Sequence, residues 1–528
     1  MKKSLLLLAA LLWGIGSRSQ PTFEKYYRGA GSATMALHEL SSGNLFSSLG
    51  GLSILDPQGN FISAPFVFDT DPMTVLQSVR KITDNEFYFV AGYLRDSCTA
   101  SGTSTIPYVD PVIGKMDTLG GILSMQRYPL NALTCGNTAL DLEVLQDMGA
   151  VAWGRDNTFF ALRVDPMGTP VWSKQFNHSG CINFVRELPS GDLLAGITMD
   201  TAGIAVARLD AGGNILWCKS YIRPKGMVRD CLIESDDSFI LTGYTDVIAT
   251  PSVFQLPPGY DPKLFLMKLN GAGDVQWCRG YENGPGWYAE IGSQIVQAQD
   301  GNYVVLANSG IPNYKLEDQP FLMKTDQNGD TLWTRSMGMN GYRYLTVDLI
   351  ASSDGGYYYD GGAYGNFHPG SGATFLFKTD SLGHLPCHER SHLVEVSDLF
   401  PVDSSFTLSS TDGAIAWPTA VPDTIPGFTI MDDGCTFFTG LAPMRRQPRN
   451  MSVRPNPNTG RFTMAFPDPL MAESYYSVYD AMGRLLYQRP LPTGATAEEI
   501  DLSRFGKGTY VIKLTDPDGV CFERVVLE

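Results

Sequence analysis

Long hydrophobic runs are missing from this chain beyond its first dozen residues, and this excludes a helical membrane anchor. The one uninterrupted apolar stretch, residues 5 to 12, is far shorter than the roughly 20 residues needed to cross a bilayer as a helix. Lys2 and Lys3 precede it, and Ser17, Arg18, Ser19 and Gln20 follow. That layout is a secretory signal peptide, with cleavage expected near Ser19. No cysteine lies near the cleavage region, so lipid attachment there is not expected. Basic residues are also scarce, with 39 Lys and Arg against 55 Asp and Glu, a formal charge of -16. Removing Lys2, Lys3 and Arg18 deepens this to -19. Such a surface repels nucleic-acid phosphates and anionic lipid and suits an exported protein. Nine cysteines in 528 residues are too few for a disulfide-built fold, although an oxidising compartment permits some bridges. Cys218 with Cys231 is the expected local pair, Cys98 with Cys135 a second, and Cys387 with Cys435 a third; the odd count leaves one thiol over.

Catalytic motifs are absent too. There is no Gly-x-Ser-x-Gly nucleophile elbow and no His-Glu-x-x-His pair. Three of the six histidines cluster with a cysteine at His384, Cys387, His388 and His392, a combination zinc accepts. Pro386 prevents one continuous helix there, so a linker is the preferred reading and these four residues stand only as metal candidates. The stretch Lys324 to Trp333 imitates a calcium loop but lacks the bidentate glutamate at its far end, so an Asx-stabilised β-turn is expected. No cofactor is expected. Enzymatic activity is undecided, since carboxylates that meet only in space leave no linear signature.

What the chain does have is repetition. A strand ending in Lys or Arg, an acidic turn with Gly, and a strand often carrying Trp recur with anchors at Asp56, Asp117, Asp165, Asp210, Asn270, Asp326 and Asp380, spaced by 54 residues on average. A second turn phrase lies upstream of each anchor, as in Ser190-Gly191-Asp192 and Asp300-Gly301-Asn302. Asn, Asp and Gly tolerate the left-handed backbone of tight hairpins, so each unit holds two hairpin turns and hence four strands. Four-stranded units at this spacing predict propeller blades. Trp172, Trp217, Trp277 and Trp333 each open the rhythm large apolar, any, basic, any, large apolar. The seventh anchor lacks that rhythm, which appears instead at Phe23-x-Lys25-x-Tyr27. A circularly permuted last blade accounts for both facts, with Phe23, Tyr27 and the four tryptophans as blade-packing residues. The expected fold is all-β: a seven-bladed β-propeller with permuted closure over residues 20–392, linker or accessory strands over 393–450, and a small β-sandwich over 451–528. The central units, about residues 40 to 385, resemble the repeats of quinoprotein-like propellers. That resemblance concerns scaffold only and carries no cofactor-contacting residues over to this chain.

The C-terminal segment reads as an antiparallel β-sandwich from the alternation of Phe462, Met464 and Phe466 and of Tyr476 and Val478. Its ordered blocks include Arg454-Pro455-Asn456-Pro457-Asn458-Thr459-Gly460 and the Asp480-to-Gly483 turn. Gly506-Lys507-Gly508-Thr509-Tyr510 and the terminal Arg524-Val525-Val526-Leu527-Glu528 complete the set. Together they resemble the type A C-terminal sorting domain of the Bacteroidetes type IX secretion system. The resemblance implies Pro455, Asn456, Pro457, Gly460, Gly483, Gly508, Tyr510, Arg524, Val525 and Val526 as sorting-signal residues and the type IX machinery as partner. It also implies passage through periplasm and outer membrane to a secreted or cell-surface destination. Glu528 departs from related tails, which commonly end in a basic residue or Gln.

Variable loops such as residues 100–105 and 250–262 on a rigid ring suggest a binding scaffold for a surface glycan or protein. An extracellular polysaccharide hydrolase or lyase and a structural matrix or appendage protein are the alternatives.

Overall fold

The computed structural model describes residues 20–28, 36–48, 52–63, 74–99, 105–130, 140–156, 158–199, 203–221, 226–245, 263–282, 288–310, 319–338, 342–364, 373–391, 394–415, 419–420, 432–433, 451–466, 469–470, 474–480, 485–516 and 519–527. It divides into two compact units, Met1–Phe438 and Thr439–Glu528. The signal-peptide stretch lies outside the described residues, as do the loop residues 100–104 and 250–262, His392, Cys135, Cys435 and Gly483.

The turns of the first unit follow directly from side-chain chemistry. Asp165 Oδ1 accepts the backbone N–H of Met167 and of Thr169, both at 2.8 Å. Its own amide bonds Thr169 O, and Gly168, at φ +81°, donates back to Asp165 O. The same Asx turn is built on Asp56, Asp117, Asn270, Asp326 and Asp380. At Lys324 to Trp333 this is the turn expected in place of a calcium loop. The basic residue before the anchor reaches back to an acid at the preceding hairpin: Arg163 to Asp147, Arg208 to Asp192, Lys268 to Glu234, Lys324 to Asp300 and Lys378 to Asp354. These strands are short and flanked by such turns, so they pair antiparallel with their sequence neighbours.

Between these turns the strands gather into six five-stranded sheets and one three-stranded sheet, Leu37–Glu39, Leu45–Ser47 and Ser53–Leu55. In one five-stranded sheet Gly180–Glu187, Leu193–Met199, Gly203–Leu209 and Ile215–Tyr221 follow chain order, and Asp403–Ser405 pairs onto the fourth. The segment after residue 388 supplies the fifth strand of every five-stranded sheet. Glu389–Ser391, Glu395–Asp398, Asp403–Ser405, Ser410–Asp412, Thr419–Ala420 and Asp432–Asp433 visit six sheets in turn. These short strands cover edges that would otherwise offer unpaired backbone groups. Near the other terminus, Phe23–Arg28 pairs with Ala373–Thr379, in register from Phe23 opposite Lys378 to Arg28 opposite Ala373.

These sheets correct the expected architecture. The seven-bladed β-propeller with permuted closure, built from four-stranded blades, is not what the chain forms. The sheets are open, most have five strands and one has three, and no closed propeller blades are seen among the described residues. Turn chemistry dictates where strands reverse; it does not dictate how many strands a sheet gathers or whether sheets close. The binding scaffold inferred from a propeller, and the propeller and repeat descriptions that went with it, fall with that correction.

The cysteines need correcting as well. Cys218, Cys231 and Cys278 are free thiols. Cys218 and Cys231 sit in different hydrophobic cores, so nearness in sequence did not bring them together. Burial pushes the Cys218 thiol up to about 12 and Cys231 well above its ordinary value, which makes both inert. Cys387 is disulfide-bonded.

The second unit is an all-β, sandwich-like domain. One sheet holds Ser452–Arg454, Arg461–Ala465 and Ala497–Asp501, and the other holds Leu485–Leu491, Ser474–Asp480, Gly508–Asp516 and Gly519–Leu527. The alternating side chains Phe462, Met464 and Phe466 of one sheet and Tyr476, Val478, Ile512 and Leu514 of the other meet in a single core.

Candidate functional sites

In the second unit the site is a clasp between the two ends of the domain. Asn456 Oδ1 accepts the N–H of Val526 at 2.9 Å, and its Nδ2 donates to Arg524 O at 2.6 Å. Asn458 N donates to Val526 O at 3.0 Å, and Gly460 N donates to Asn458 Oδ1 at 2.7 Å. Both Arg454-Pro455 and Asn456-Pro457 are cis. Pro455 and Pro457 flank the amide that reads the terminal strand. Val525 is fully buried in the core while Arg524 is exposed. Tyr510 donates its hydroxyl to Gly506 O at 2.6 Å, and Gly508 extends the strand beside it. The fold thus brings Asn456, Arg524 and Val526 together, although 70 residues separate the first from the last.

Three of the four metal candidates have other partners, and the fourth, His392, lies outside the described residues. His384 Nδ1 bonds Glu389 at 2.9 Å, His388 bonds the fully buried Glu24, and Cys387 is held in a disulfide. Among the described residues no three His, Cys, Asp or Glu stand as a metal-holding group. The tryptophans pack against glycines of the following Asx turn. A Cβ on Gly213 would meet Trp172 at 2.9 Å, on Gly273 Trp217 at 2.8 Å, on Gly329 Trp277 at 3.0 Å, and on Gly383 Trp333 at 2.6 Å. Phe23 lies in the same relation to Gly59, whose carbonyl accepts the Tyr27 hydroxyl at 2.6 Å.

Sequence reading missed a pocket of about 550 Å³ in the first unit. It is lined by residues of seven strands: Leu37–Glu39, Thr74–Thr83, Leu140–Val144, Gly180–Glu187, Gly226–Ile233, Tyr288–Gln297 and Arg343–Ala351. Two positions before the residue that closes each hairpin stand His38, Glu143, Arg186, Leu232, Val296 and Ile350. Arg80 lies opposite Tyr88 in the remaining hairpin. One stretch of the wall is therefore polar and charged, and the other is aliphatic. Register shifts between Val228 and Asp230, between Glu290 and Gln294 and between Thr346 and Asp348 mark β-bulges. Bulges re-aim side chains, and these three precede the pocket residues Asp230, Gln294 and Asp348.

The charges are tied between strands. Arg80 donates to both oxygens of Asp141, at 3.0 and 3.2 Å. Arg186 bridges Glu143 at 3.3 Å and Asp230 at 2.6 Å, and Asp230 also accepts Ile295 N at 3.1 Å. Asp348 accepts the amides of Leu37 at 3.1 Å and Leu349 at 3.2 Å, together with a hydrogen bond from the Gln294 side chain. Burial raises the carboxyls of Glu143 and Asp348 above the usual range, against the pull of nearby arginines. Asp360, the register partner of Asp348, is raised further by its burial and by Asp348 itself. Burial lowers His38 to about 4 although its Nε2 bonds Val79 O at 2.9 Å, so its ring is neutral at neutral pH. The signal that marks this site in the sequence is a charge inside an otherwise apolar strand, as in Met227-Val228-Arg229-Asp230-Cys231-Leu232.

The clasped two-sheet domain defines an appended terminal β-module. Residues 452–528 match the family described as the secretion system C-terminal sorting domain. The chain is thus a secreted or surface protein delivered by that domain and associated with type IX secretion. Its route through the periplasm and outer membrane is treated below as a proposal. No curated protein matches the chain significantly. Among solved structures, a protein of unknown function from Bacteroides caccae is similar at 11% identity and a TM-score of 0.35, over 60% of this chain and 93% of that one. A protein of unknown function from Dyadobacter fermentans shares 11% identity at a TM-score of 0.34, over 69% and 86%. YCF48 bound to D1 peptide shares 11% identity at 0.37, over 69% and 100%. No helix among the described residues is long and apolar enough to cross a membrane.

Proposed function

We propose that this protein is a secretion cargo in which residues 452–528 are the passport and the first unit is the part that works outside the cell. In this reading the chain is exported to the periplasm on its N-terminal signal. It then crosses the outer membrane through the type IX machinery and reaches the exterior, either released or held at the surface. The observation that carries the reading is the clasp. Asn456 fixes the backbone of Arg524 and Val526 from across the domain, so the terminal strand is offered in one conformation. Rigid presentation lowers the ordering cost that a recognition partner would otherwise meet.

The test is fractionation of type IX-competent cells expressing three chains: intact, lacking residues 452–528, and Asn456→Ala. The truncated chain is expected to stay in the periplasm. The Asn456→Ala chain is expected to cross less efficiently while its first unit melts normally. Normal export of the truncated chain would end the proposal.

A further inference from the structure

The pocket of the first unit has an occupant chemistry written into its wall. Four acids line it, Glu143, Glu187, Asp230 and Asp348, against two cations, Arg80 and Arg186. Both guanidiniums are already committed, Arg80 to Asp141 and Arg186 to Glu143 and Asp230. An anionic ligand would therefore meet no available cation and would add to an existing excess of negative charge. Asp348 is 8% exposed and accepts hydrogen bonds from the Leu37 and Leu349 amides and the Gln294 side chain, while Arg80, bonded to Asp141, acts on it only through space. Beside it, Gln294 Oε1 is a buried acceptor with no hydrogen-bond partner. A buried acceptor left unbonded is destabilising, so this wall lacks a donor.

We propose that the pocket binds a small organic cation, with an ammonium or guanidinium head at Asp348 and Gln294 Oε1 and an apolar body against Leu232, Val296 and Ile350. The head supplies the donor that Gln294 Oε1 lacks and a positive charge against the acidic excess of the wall. The aliphatic side of the wall gives the body a surface to desolvate. A volume of about 550 Å³ falls within the roughly 300–1,000 Å³ of small-molecule sites. A metal ion is the poorer occupant, because no metal-holding group of three ligands exists among the described residues.

The experiment is calorimetric titration of the purified full chain with phenethylamine and agmatine, and with phenethyl alcohol and 3-phenylpropionate as matched neutral and anionic probes. Saturable binding of phenethylamine, one per chain, is expected to be at least about tenfold tighter than binding of the alcohol, the ratio one charge-assisted hydrogen bond supplies. The carboxylate is expected not to bind. Asp348→Asn is expected to weaken amine binding about tenfold or more. Gln294→Leu removes the acceptor, and with it one hydrogen bond to Asp348, while leaving every charge in place; it is expected to weaken binding similarly and serves if the first variant fails to fold. Equal binding of amine and carboxylate overturns the proposal. So does absence of saturation by either cation up to about 10 mM, which corresponds to under roughly 3 kcal/mol of affinity, or undiminished affinity in the folded variants.

Discussion

The two units of this protein hold themselves together in opposite ways. In the first, one turn recipe is used again and again, and sheets grip their neighbours through it. The Tyr221 hydroxyl donates to Gly273 O at 2.8 Å, Tyr281 to Gly329 O at 2.7 Å and Tyr128 to Gly168 O at 2.6 Å. Each of these bonds ties a strand to the turn of the next unit along the chain. In the second, a single core is shared by two sheets, and the ends are clasped by Asn456. Removing a strand from the first unit therefore costs its own sheet and the neighbour it grips. The second unit contains its own core and its own clasp, and it is lost or kept whole.

The largest effect that sharpens this contrast is deletion. Removing Phe23–Arg28 takes away a strand that lies between Ala373–Thr379 and Asp432–Asp433. It also removes the burial of Phe23, Tyr26 and Tyr27, at 8%, 2% and 2% exposure. Each such side chain is worth roughly 1.5–3 kcal/mol, and together they are comparable with a typical stability of about 5–15 kcal/mol. Scanning calorimetry should show the cooperative transition of the first unit lost or lowered by more than about 10 °C. Deleting residues 451–528 should leave that transition within about 2 °C of the intact chain. If both truncations melt alike, the contrast between the units is wrong.

Much of the local structure was legible because it is local. An Asp that bonds the amides two and four residues ahead needs only its own neighbours, so the turns at Asp165 or Asp326 could be read from the chain alone. The terminal module was legible because its blocks are specific in order and composition. Assembly was not, since the same hairpins serve open five-stranded sheets as well as closed four-stranded blades. Accessory strands were one of two readings for residues 393–450, but their places as fifth strands were not legible, because two to four residues, as in Thr419–Ala420 and Glu395–Asp398, are too few to show alternation. The pocket escaped because its charges come about one to a strand, from His38 to Asp348, and carry no spacing. The sorting residues Asn456, Arg524 and Val526 were named from resemblance; their hydrogen bonding to one another was not foreseen.

A smaller perturbation separates turn geometry from sheet-to-sheet grip. Gly191 and Gly383 both have left-handed backbones, at φ +84° and +79°. Alanine at either position costs roughly 1–2 kcal/mol for that conformation. A Cβ at Gly191 meets nothing within 4 Å, whereas at Gly383 it would sit 2.6 Å from the Trp333 ring. Overpacking adds about 1–3 kcal/mol. Denaturant melts should thus place Gly383→Ala about 3 kcal/mol below the parent and Gly191→Ala about 1 kcal/mol below it. In the second unit, Gly460→Ala would bring a Cβ to 2.6 Å from Ser503 Cα, backbone that has no rotamer to move into. It should unfold that unit and leave the first transition in place. Equal losses for Gly191→Ala and Gly383→Ala would show that the tryptophan contact contributes nothing.

The last contrast is a dependence on acid that only the first unit has a histidine to supply. All six histidines precede residue 393, and none lies in Thr439–Glu528. His38 is held neutral in the folded chain, its pKa lowered from 6.5 to about 4 by burial, with Arg80 and Lys81 disfavouring its charged form. The unfolded chain takes up a proton at this position as pH falls past the ordinary value, before the folded chain does. The stabilising contribution is therefore complete above 6.5 and is lost as pH drops toward 4. At about pH 5 the loss is about 2 kcal/mol. Glu143, Asp348 and Asp360 work in the opposite direction, because their raised carboxyls favour the folded state at lower pH. The pH profile of the parent alone is consequently a mixture, and the difference between parent and His38→Gln isolates the histidine. Gln keeps a donor for Val79 O and does not titrate in this range. Urea melts at pH 7 and pH 5 should show the variant losing about 2 kcal/mol less than the parent. The second unit's transition should carry no histidine-linked change over the same interval. A variant that loses as much as the parent would mean that His38 takes up its proton equally in the folded and unfolded chains and is not held neutral by burial.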